Sequence, residues 1–311
     1  MKDADLRSKF LGGLLGSAIG DAIGQLAFSY PRKDLLAFAI DRAKELRYTD
    51  DTAMAIGLAE ALIRAEGIID EERLGESFRM HYEREPWRGY ASGPPTLFSM
   101  VKSLKITYRE AARRLFGGKG SFGNGAAMRI TPVGLFFFDK ESLYDQVRAS
   151  SEVTHSHPLG IDGAAVQARA IALSVMLDPL EAIPLKAFIA SLLDFSRTKE
   201  MRDKIELIET LLENCVPPHV AARELGQSVA AHESVPFAIY SFLRNYDSFE
   251  KCLHCAVLSG GDRDTLGAMA CAISGAYLGI EHIPRQWMEK LENRDYIEAL
   301  ASRLFMMKNK A

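Results

Sequence analysis

Four glycines recur at every fourth position near the N-terminus, and this spacing constrains the fold more than any other feature. They are Gly12, Gly16, Gly20 and Gly24. Residues four apart share one face of an α-helix, so the spacing predicts a helix with a bare stripe that another backbone can approach closely. Each glycine costs roughly 1 kcal/mol of helix propensity relative to alanine, which implies a packing or functional reason. We favour tight helix packing.

Helical periodicity continues through the rest of the chain. In segment 52–65, Met54, Leu58 and Leu62 recur every four positions, with small or apolar residues beside them. This period is typical of a helix with one buried face. The same pattern predicts helices over 161–176, 181–195, 203–214, 219–231, 236–245 and 264–279.

Strand patterns are nearly absent. The short apolar run 133–138 could be a strand, but it continues a helical pattern that begins near Ala126. No long linker, repeat or low-complexity segment divides the chain. We therefore predict an all-α protein with one domain over residues 1–311.

Composition excludes several classes of function. The net charge is -3 over 311 residues, so direct nucleic-acid binding through a polybasic face is not expected. Segment 11–28 is apolar but contains Asp21, and a charge near mid-bilayer costs about 2.5–3.5 kcal/mol on the insertion scale. We expect no membrane segment, a cytoplasmic location and a monomer.

The cysteines do not predict a metal or redox site. Cys252-Leu253-His254-Cys255 contains a C-x-x-C pattern. A zinc site would need a second ligand pair and a redox motif would need a βαβ pattern, and neither is present. The four cysteines are therefore predicted to be buried, inert thiols.

Two Asp–Thr clusters lead into predicted helices in distant parts of the chain. The first cluster is Thr49-Asp50-Asp51-Thr52, and the second cluster is Asp262-Arg263-Asp264-Thr265. Taken alone, Thr49 or Asp50 is explained as a helix N-cap. The repetition favours a joint role instead, although spacing alone does not show that the clusters meet.

A cation would be needed if the clusters do meet. Two like charges about 4 Å apart repel by roughly 4 kcal/mol at an effective dielectric of about 20. A divalent ion removes that cost. Carboxylates and threonine hydroxyls suit Mg²⁺, Mn²⁺ or Ca²⁺, whereas zinc prefers His and Cys.

A glycine-rich segment, residues 116–125, offers a site for an anion. Its glycines allow backbone N–H groups to converge, and a predicted helix N-terminus follows them. It lacks the G-x-x-x-x-G-K-[ST] pattern and a preceding strand, so it is not a P-loop. A flexible loop is the alternative, but the flanking Phe116 and Phe122 favour a loop that binds phosphate and stacks on a ring.

Histidine and aspartate spacing excludes two other classes. His155 and His157 lie two residues apart and share no helical face, so they do not indicate a metal site. The sequence has no His-Asp dipeptide, which argues against the HD phosphohydrolases. Asp50-Asp51 is not followed by the D-D-x-x-D spacing of terpene synthases.

Taken together, the motifs resemble one family. The chain contains, in order, GDAIG (20–24), YTDDTAMA (48–55), RGYASG (88–93), GKGSFGNGAAMRI (118–130), THSHPLG (154–160), ESVPFAIYSFLR (233–244) and GGDRDT (260–265). This combination looks like the ADP-ribosylglycohydrolase family, which includes the dinitrogenase reductase-activating glycohydrolase. The likeness is nearest to its serine-ADP-ribose and poly(ADP-ribose) hydrolysing branch.

The resemblance implies a fold and a set of site residues. It implies an orthogonal helical bundle with a central cleft that holds two Mg²⁺ ions, with Mn²⁺ as an alternative. The implied metal ligands are Thr49, Asp50, Asp51, Asp262, Asp264 and Thr265. The implied ADP-ribose pocket is lined by Gly89, Ala91, Gly93, Phe116, Gly120, Ser121, Phe122, Asn124 and His155.

The resemblance also implies a mechanism. Phe116 and Phe122 would stack on the adenine, while Ser121 and the loop amides would hold the diphosphate. A metal-activated water would attack the anomeric carbon, and the implied catalytic residues are Asp50, Asp51 and Asp264. The substrate would be ADP-ribose on an acceptor: a serine side chain of a protein, O-acetyl-ADP-ribose or a polymer.

Two departures from the family pattern leave alternatives open. Phe28 stands where the family usually has a gating glutamate, so Asp34 or Glu45 would have to replace it, or the metal aspartates would suffice. Arg263 stands where a small residue is usual; it either points away or contacts a phosphate. The alternatives are a catalytically weak ADP-ribose-binding protein and an arginine-ADP-ribose hydrolase.

Overall fold

The computed structural model describes residues 3–310, and this part of the chain is built from helices without a strand. A short 3₁₀-helix, Ile280–His282, precedes the last two helices. The all-α prediction is confirmed. The eighteen α-helices are α1 Asp3–Ser29, α2 Lys33–Arg42, α3 Asp50–Arg64, α4 Glu71–Arg84, α5 Gly93–Leu104, α6 Tyr108–Gly118, α7 Gly125–Met128, α8 Thr131–Phe136, α9 Leu143–Glu152, α10 Pro158–Met176, α11 Leu185–Phe195, α12 Lys199–Glu213, α13 Pro218–Leu225, α14 Ala231–Arg244, α15 Phe249–Leu258, α16 Arg263–Leu278, α17 Arg285–Lys290 and α18 Arg294–Lys308.

Two of the predicted helices need correction. The segment 219–231 is not one helix, because α13 ends at Leu225 and Gly226 adopts a positive φ of 93°. The segment 181–195 begins too early, because α11 starts only after Pro184. By contrast, the run 133–138 is helical up to Phe136, as its pattern predicts. The errors lie where a turn residue interrupts an apolar pattern that continues on both sides.

The glycine stripe of α1 packs against α16. A Cβ on Gly12 would lie 2.3 Å from the carbonyl oxygen of Gly275, and one on Gly20 would lie 2.1 Å from that of Gly267. The stripe on α16 is complementary, because a Cβ on Gly275 would lie 2.0 Å from the oxygen of Gly12. The two backbones therefore touch along the whole crossing, and the packing interpretation is confirmed.

The longest apolar helices form the centre of the molecule. By length and composition α1 and α10 could each cross a membrane, but 89% and 78% of these segments are buried inside the structure. Lys9 ties them together, because its buried ammonium donates to the carbonyls of Ser174 at 3.2 Å and Val175 at 3.0 Å. These contacts satisfy carbonyls at the C-terminal end of α10.

Three of the four cysteines fit the prediction. Cys252, Cys255 and Cys271 are buried, and burial raises the pKa of the Cys255 thiol to about 11. Cys215 is exposed and adopts a positive φ of 50°, so the prediction of a buried thiol is wrong there. It lies just after α12, in the short turn that leads to α13.

Candidate active site

The first cluster is fixed by a buried carboxylate on α1. Thr49 is the N-cap of α3, since its Oγ1 accepts from the backbone N–H of Asp51 at 3.4 Å. Asp21 is fully buried and accepts from the hydroxyls of Thr49 at 2.8 Å and Thr52 at 2.6 Å. It also accepts from both backbone N–H groups. Sequence reasoning left Asp21 without a role; the GDAIG motif was the signal that could have assigned one.

The second cluster meets the same helix. A Cβ on Gly24 would lie 2.4 Å from the carbonyl oxygen of Arg263 and 2.6 Å from Cα of Asp264. Asp262 is the N-cap of α16, but its side chain makes no capping hydrogen bond. Because Asp21 and Gly24 lie one turn apart on α1, this helix brings the two clusters together.

Crowding of the carboxylates changes their acidity. Burial, together with the charges of Asp21 and Asp264, raises the pKa of Asp50 to about 8. Burial and the charges of Asp262 and Asp21 raise the pKa of Asp264 to about 7. The pKa of Asp51 is raised well above its usual range by burial and by the same neighbours. Aspartates of the second cluster therefore raise the pKa values of Asp50 and Asp51 in the first cluster.

The donor set has the chemistry of a hard-cation site. Asp51 is 3% exposed, and its Oδ2 is buried without a hydrogen-bond partner. An unpartnered buried carboxylate oxygen is costly unless a proton or cation reaches it. Within residues 3–310, however, no three His, Cys, Asp or Glu residues are arranged so that they could hold a metal as they stand. The six-residue metal set therefore stays a prediction.

The segment 88–93 forms one wall of the candidate site, next to Asp50 of the first cluster. Arg88 donates to the carbonyl of Tyr48 at 2.8 Å and forms ion pairs with Glu85 at 2.6 Å and Glu292 at 2.9 Å. Its own carbonyl accepts from the N–H of Asp50 at 2.8 Å. This buried guanidinium anchors the start of α3, a role that sequence reasoning missed although Arg88 opens the RGYASG motif.

The predicted pocket residues of this wall connect Asp50 to the glycine loop. Gly89 has a positive φ of 94°, and a Cβ there would lie 3.6 Å from Oδ1 of Asp50. A Cβ on Gly93 would lie 3.9 Å from the Phe116 ring. Ala91 is exposed between them. The wall thus leads from the first cluster to the loop 116–125.

The loop 116–125 is held in an irregular conformation by the segment behind it. Phe116 adopts φ 52° and ψ 47°, which interrupts the end of α6. A Cβ on Gly120 would lie 2.1 Å from the hydroxyl of Ser156, so only glycine fits here. Ser121 accepts from the N–H of Gly123 at 3.2 Å. Gly120 and Gly125 therefore allow close approach to segment 154–160, whereas Gly117 and Gly118 have positive φ and open space around them.

Asn124 joins the loop to the second cluster. Its side-chain amide donates to Oδ2 of Asp262 at 2.7 Å and to the hydroxyl of Ser234 at 3.2 Å. Its backbone N–H donates to Val229 at 2.8 Å. We predicted Asn124 as a pocket residue, and the structure places its amide against the aspartate.

An apolar cavity lies beside the loop. It has a volume of about 330 Å³. Phe116 and Phe122 are both about half exposed, so their ring faces are free to take a flat ligand. Sequence reasoning named three of its lining residues and missed the other four. The cavity is lined by Phe116, Lys119, Gly120, Phe122, His157, Leu159 and His232.

A larger cavity of about 430 Å³ lies between α2, α13 and α15. It is lined by Lys33, His219, Lys251 and His254, among others, and by none of the predicted site residues. Its lysine charge is compensated in part, because Lys251 faces Asp247 at 3.9 Å, and burial lowers the pKa of His254 and favours its neutral form. We therefore assign the site by the chemistry of its lining rather than by its size.

The residues that depart from the family pattern have clear positions. The guanidinium of Arg263 lies against the end of α15, where it donates to the carbonyl of Val257. Asp34 and Glu45 are exposed and form ion pairs with Arg32 and Arg47 at 2.6 and 2.9 Å. Neither carboxylate is engaged with the two clusters.

Phe28 lies in the last turn of α1 and is 49% exposed. It follows Gly24 by one turn, so it shares the helix face that meets the second cluster.

Known proteins resemble this chain along almost its whole length. The family model "ADP-ribosylglycohydrolase" matches residues 2–311. The chain is 31% identical to the human "ADP-ribosylhydrolase ARH3", over 96% of this chain and 93% of that protein. It is 33% identical to the Bos taurus protein of the same name, over 96% and 92%. A solved "ADP-ribosylglycohydrolase-related protein complex" superposes with a TM-score of 0.73 at 25% identity, covering 98% of this chain and 99% of that one.

Proposed function

Because the chain belongs to the ADP-ribosylglycohydrolase family, we propose that it hydrolyses the O-glycosidic bond between ADP-ribose and an acceptor with the help of Mg²⁺. The proposed acceptors are a serine side chain, O-acetyl-ADP-ribose and poly(ADP-ribose). Hydrolysis of a glycosidic bond follows from the family itself. The O-linkage, the acceptors and the metal are the proposal.

One observation carries the proposal: contacts in the structure join the two Asp–Thr clusters and the glycine loop to one another. Asp21 holds the first cluster, Gly24 contacts the second, and Asn124 bonds the loop to Asp262 at 2.7 Å. A ring-sized apolar cavity lies at the other end of the loop. This arrangement supports a substrate whose flat base lies in the cavity, whose diphosphate lies at the glycine-rich loop and whose ribose lies at the carboxylates.

The residues of the two clusters would share the work. Thr49, Asp50, Asp51, Asp262, Asp264 and Thr265 would hold divalent cations, which when bound supply charge neutralisation and polarisation of water. We propose that Asp50, which lies beside Gly89, accepts a proton from the attacking water. Bound cations would lower the pKa of Asp50, which burial and the neighbouring aspartates raise, and would leave its carboxylate ionised and able to accept this proton.

A specific observation favours a second candidate, an ADP-ribose-binding protein with little turnover. Phe28 provides no carboxylate, and Asp34 and Glu45 are paired with exposed arginines. The cavity beside Phe116 and Phe122 and the glycine loop would bind the ligand without any of these groups. No such observation favours an arginine-linked substrate, and the assay below tests that substrate directly.

An assay on defined linkages separates these functions. Serine- and arginine-ADP-ribosylated peptides are incubated with the protein in Mg²⁺, and then in EDTA. We expect release of ADP-ribose from the serine peptide in Mg²⁺ and its loss in EDTA. Release from the arginine peptide alone would overturn the linkage, and tight ADP-ribose binding without release would establish the binding protein.

Substitution of the second cluster tests the metal site. Asp264→Asn keeps the shape of the side chain and removes its charge, so turnover is expected to be abolished without loss of the fold. Asp34→Asn is the matched control, because Asp34 is exposed and lies outside the clusters. Full activity in Asp264→Asn would contradict the two-metal arrangement.

A further inference from the structure

We propose that Arg129 and Thr154 are positioning residues that fix His155 as one neutral tautomer, whose Nε2–H is a hydrogen-bond donor beneath the glycine loop. The identity of the ligand that receives this bond, the diphosphate of ADP-ribose, rests on the proposed function. The tautomer itself is a property of the free protein and does not depend on that function.

Arg129 is a buried cation without a carboxylate partner. It is 1% exposed, and no carboxylate of the described residues lies within 4 Å of its guanidinium. Burial lowers the pKa of Arg129 to about 9, although the charge of Asp50 acts in the opposite direction. Its guanidinium donates to the hydroxyl of Thr154 at 2.7 Å and to the carbonyls of Ser150 at 3.2 Å and Gly125 at 3.1 Å. It also lies 4.3 Å above the Phe78 ring. Such a charge is costly to bury and needs a reason beyond packing.

The direction of the donors fixes the proton on His155. A threonine hydroxyl has one proton to donate. Oγ1 of Thr154 accepts from Arg129, and Nδ1 of His155, 2.7 Å away, is the one acceptor that the described residues offer to the proton of this hydroxyl. Nδ1 is then the acceptor, and in a neutral imidazole the proton lies on Nε2.

Two further facts keep this histidine neutral. The pKa of His155 is lowered to about 3, mainly by burial and secondly by the positive charge of Arg129. His155 is 8% exposed, so solvent does little to offset either effect. The ring therefore keeps a single proton throughout the physiological range.

The Nε2 side of the ring faces the loop. A Cβ on Gly125 would lie 3.0 Å from Nε2, and one on Gly123 would lie 3.8 Å away. Nε2 has no protein partner among the described residues, in contrast to Nδ1. Arg129, Thr154 and His155 thus form a chain of donors that ends under the predicted diphosphate site, and each bond polarises the next.

The tautomer can be measured directly in the free protein. Long-range ¹H–¹⁵N NMR of histidine-labelled protein distinguishes the two tautomers, and His155→Gln identifies the His155 signals. We expect the proton on Nε2 in the wild type. A wild-type His155 that carries its proton on Nδ1, or that is doubly protonated at pH 7, overturns the proposal whatever the variants do.

Substitution of Thr154 then tests the relay. Thr154→Val removes the hydroxyl, and Thr154→Ser restores it. We expect Thr154→Val to show mixed tautomers and about tenfold weaker binding of free ADP-ribose, the size of one hydrogen bond to a charged group. Thr154→Ser should retain both properties. An unchanged tautomer in Thr154→Val overturns the relay, and unchanged affinity overturns its role in binding, while hydrolysis by the wild type remains a separate result.

Discussion

Asn124 donates its side-chain amide to Oδ2 of Asp262 at 2.7 Å, and this bond connects the glycine loop to the second cluster. Asn124 is 6% exposed, so water does not compete for the bond. The loop and the start of α16 are therefore coupled. A ligand that moves the loop will also move an oxygen of Asp262.

Asn124→Asp is expected to lower turnover at least 100-fold. It replaces a donor with a carboxylate that faces Asp262, and two such charges about 4 Å apart repel by roughly 4 kcal/mol at an effective dielectric of about 20. Steady-state kinetics on the serine-linked peptide measures the loss. Asn214→Asp is the matched control, because Asn214 is exposed at the end of α12 and should leave the rate unchanged. A wild-type rate in Asn124→Asp would show that the bond has no catalytic consequence.

Gly20→Ala is expected to destabilise the protein by about 3 kcal/mol or more, since the added methyl has no space. Its Cβ would lie 2.1 Å from the carbonyl oxygen of Gly267, so the two helices must separate. Urea denaturation gives the difference in the free energy of unfolding. Gly13→Ala, on the same helix, meets only side-chain atoms, of Leu135 at 3.1 Å and Ala276 at 3.4 Å, and should change that free energy by less than about 1 kcal/mol. Equal losses in both variants would contradict the stripe.

The sequence predicts the elements better than their pairing. The period of four in Gly12 to Gly24 predicts a closely packed helix, but the partner is identified only by the structure. The complementary signal was present, because Gly267, Cys271 and Gly275 repeat the same spacing on α16. Two matching stripes of small residues can predict which two helices cross, whereas one stripe predicts only that its helix packs closely against some partner.

The site follows the same division. The residue types predict what each segment can bind. Carboxylates beside threonines in the two clusters indicate a cation site, and glycines beside aromatic rings in the loop 116–125 indicate a site for an anion and a ring. The direction in which a long side chain turns is not encoded locally. Arg263 caps α15 through Val257, and Arg88 reaches Glu292 far along the chain. Both contacts depend on how distant helices pack.

The stability of the wild type is expected to fall between pH 6.5 and pH 3 through His155. Its folded-state pKa of about 3 lies below the ordinary value of 6.5, so the unfolded chain binds a proton in this window and the folded chain does not. Protonation then favours unfolding. At pH 5 the loss is about 2 kcal/mol, from 1.36 kcal/mol per pH unit. His155→Gln removes this loss, so the difference in unfolding free energy between the two proteins should shrink by that amount from pH 7 to pH 5. Parallel curves would contradict the neutral buried histidine.

Phe28→Glu is expected to raise turnover if the absent carboxylate limits the rate. Phe28 is half exposed in the last turn of α1, on the helix face where Gly24 contacts the second cluster. A glutamate at this position can extend toward that cluster while its charge stays in contact with solvent. A second general base contributes typically 100-fold or more when it is well placed, and an increase of about tenfold allows for imperfect placement. The rate is measured with the serine-linked peptide in Mg²⁺. Phe38→Glu is the control for added charge, because Phe38 is 57% exposed on α2 and belongs to a different helix. An unchanged rate in Phe28→Glu would assign the proton transfer to the aspartates of the first cluster alone, and an equal rise in Phe38→Glu would assign the effect to net charge.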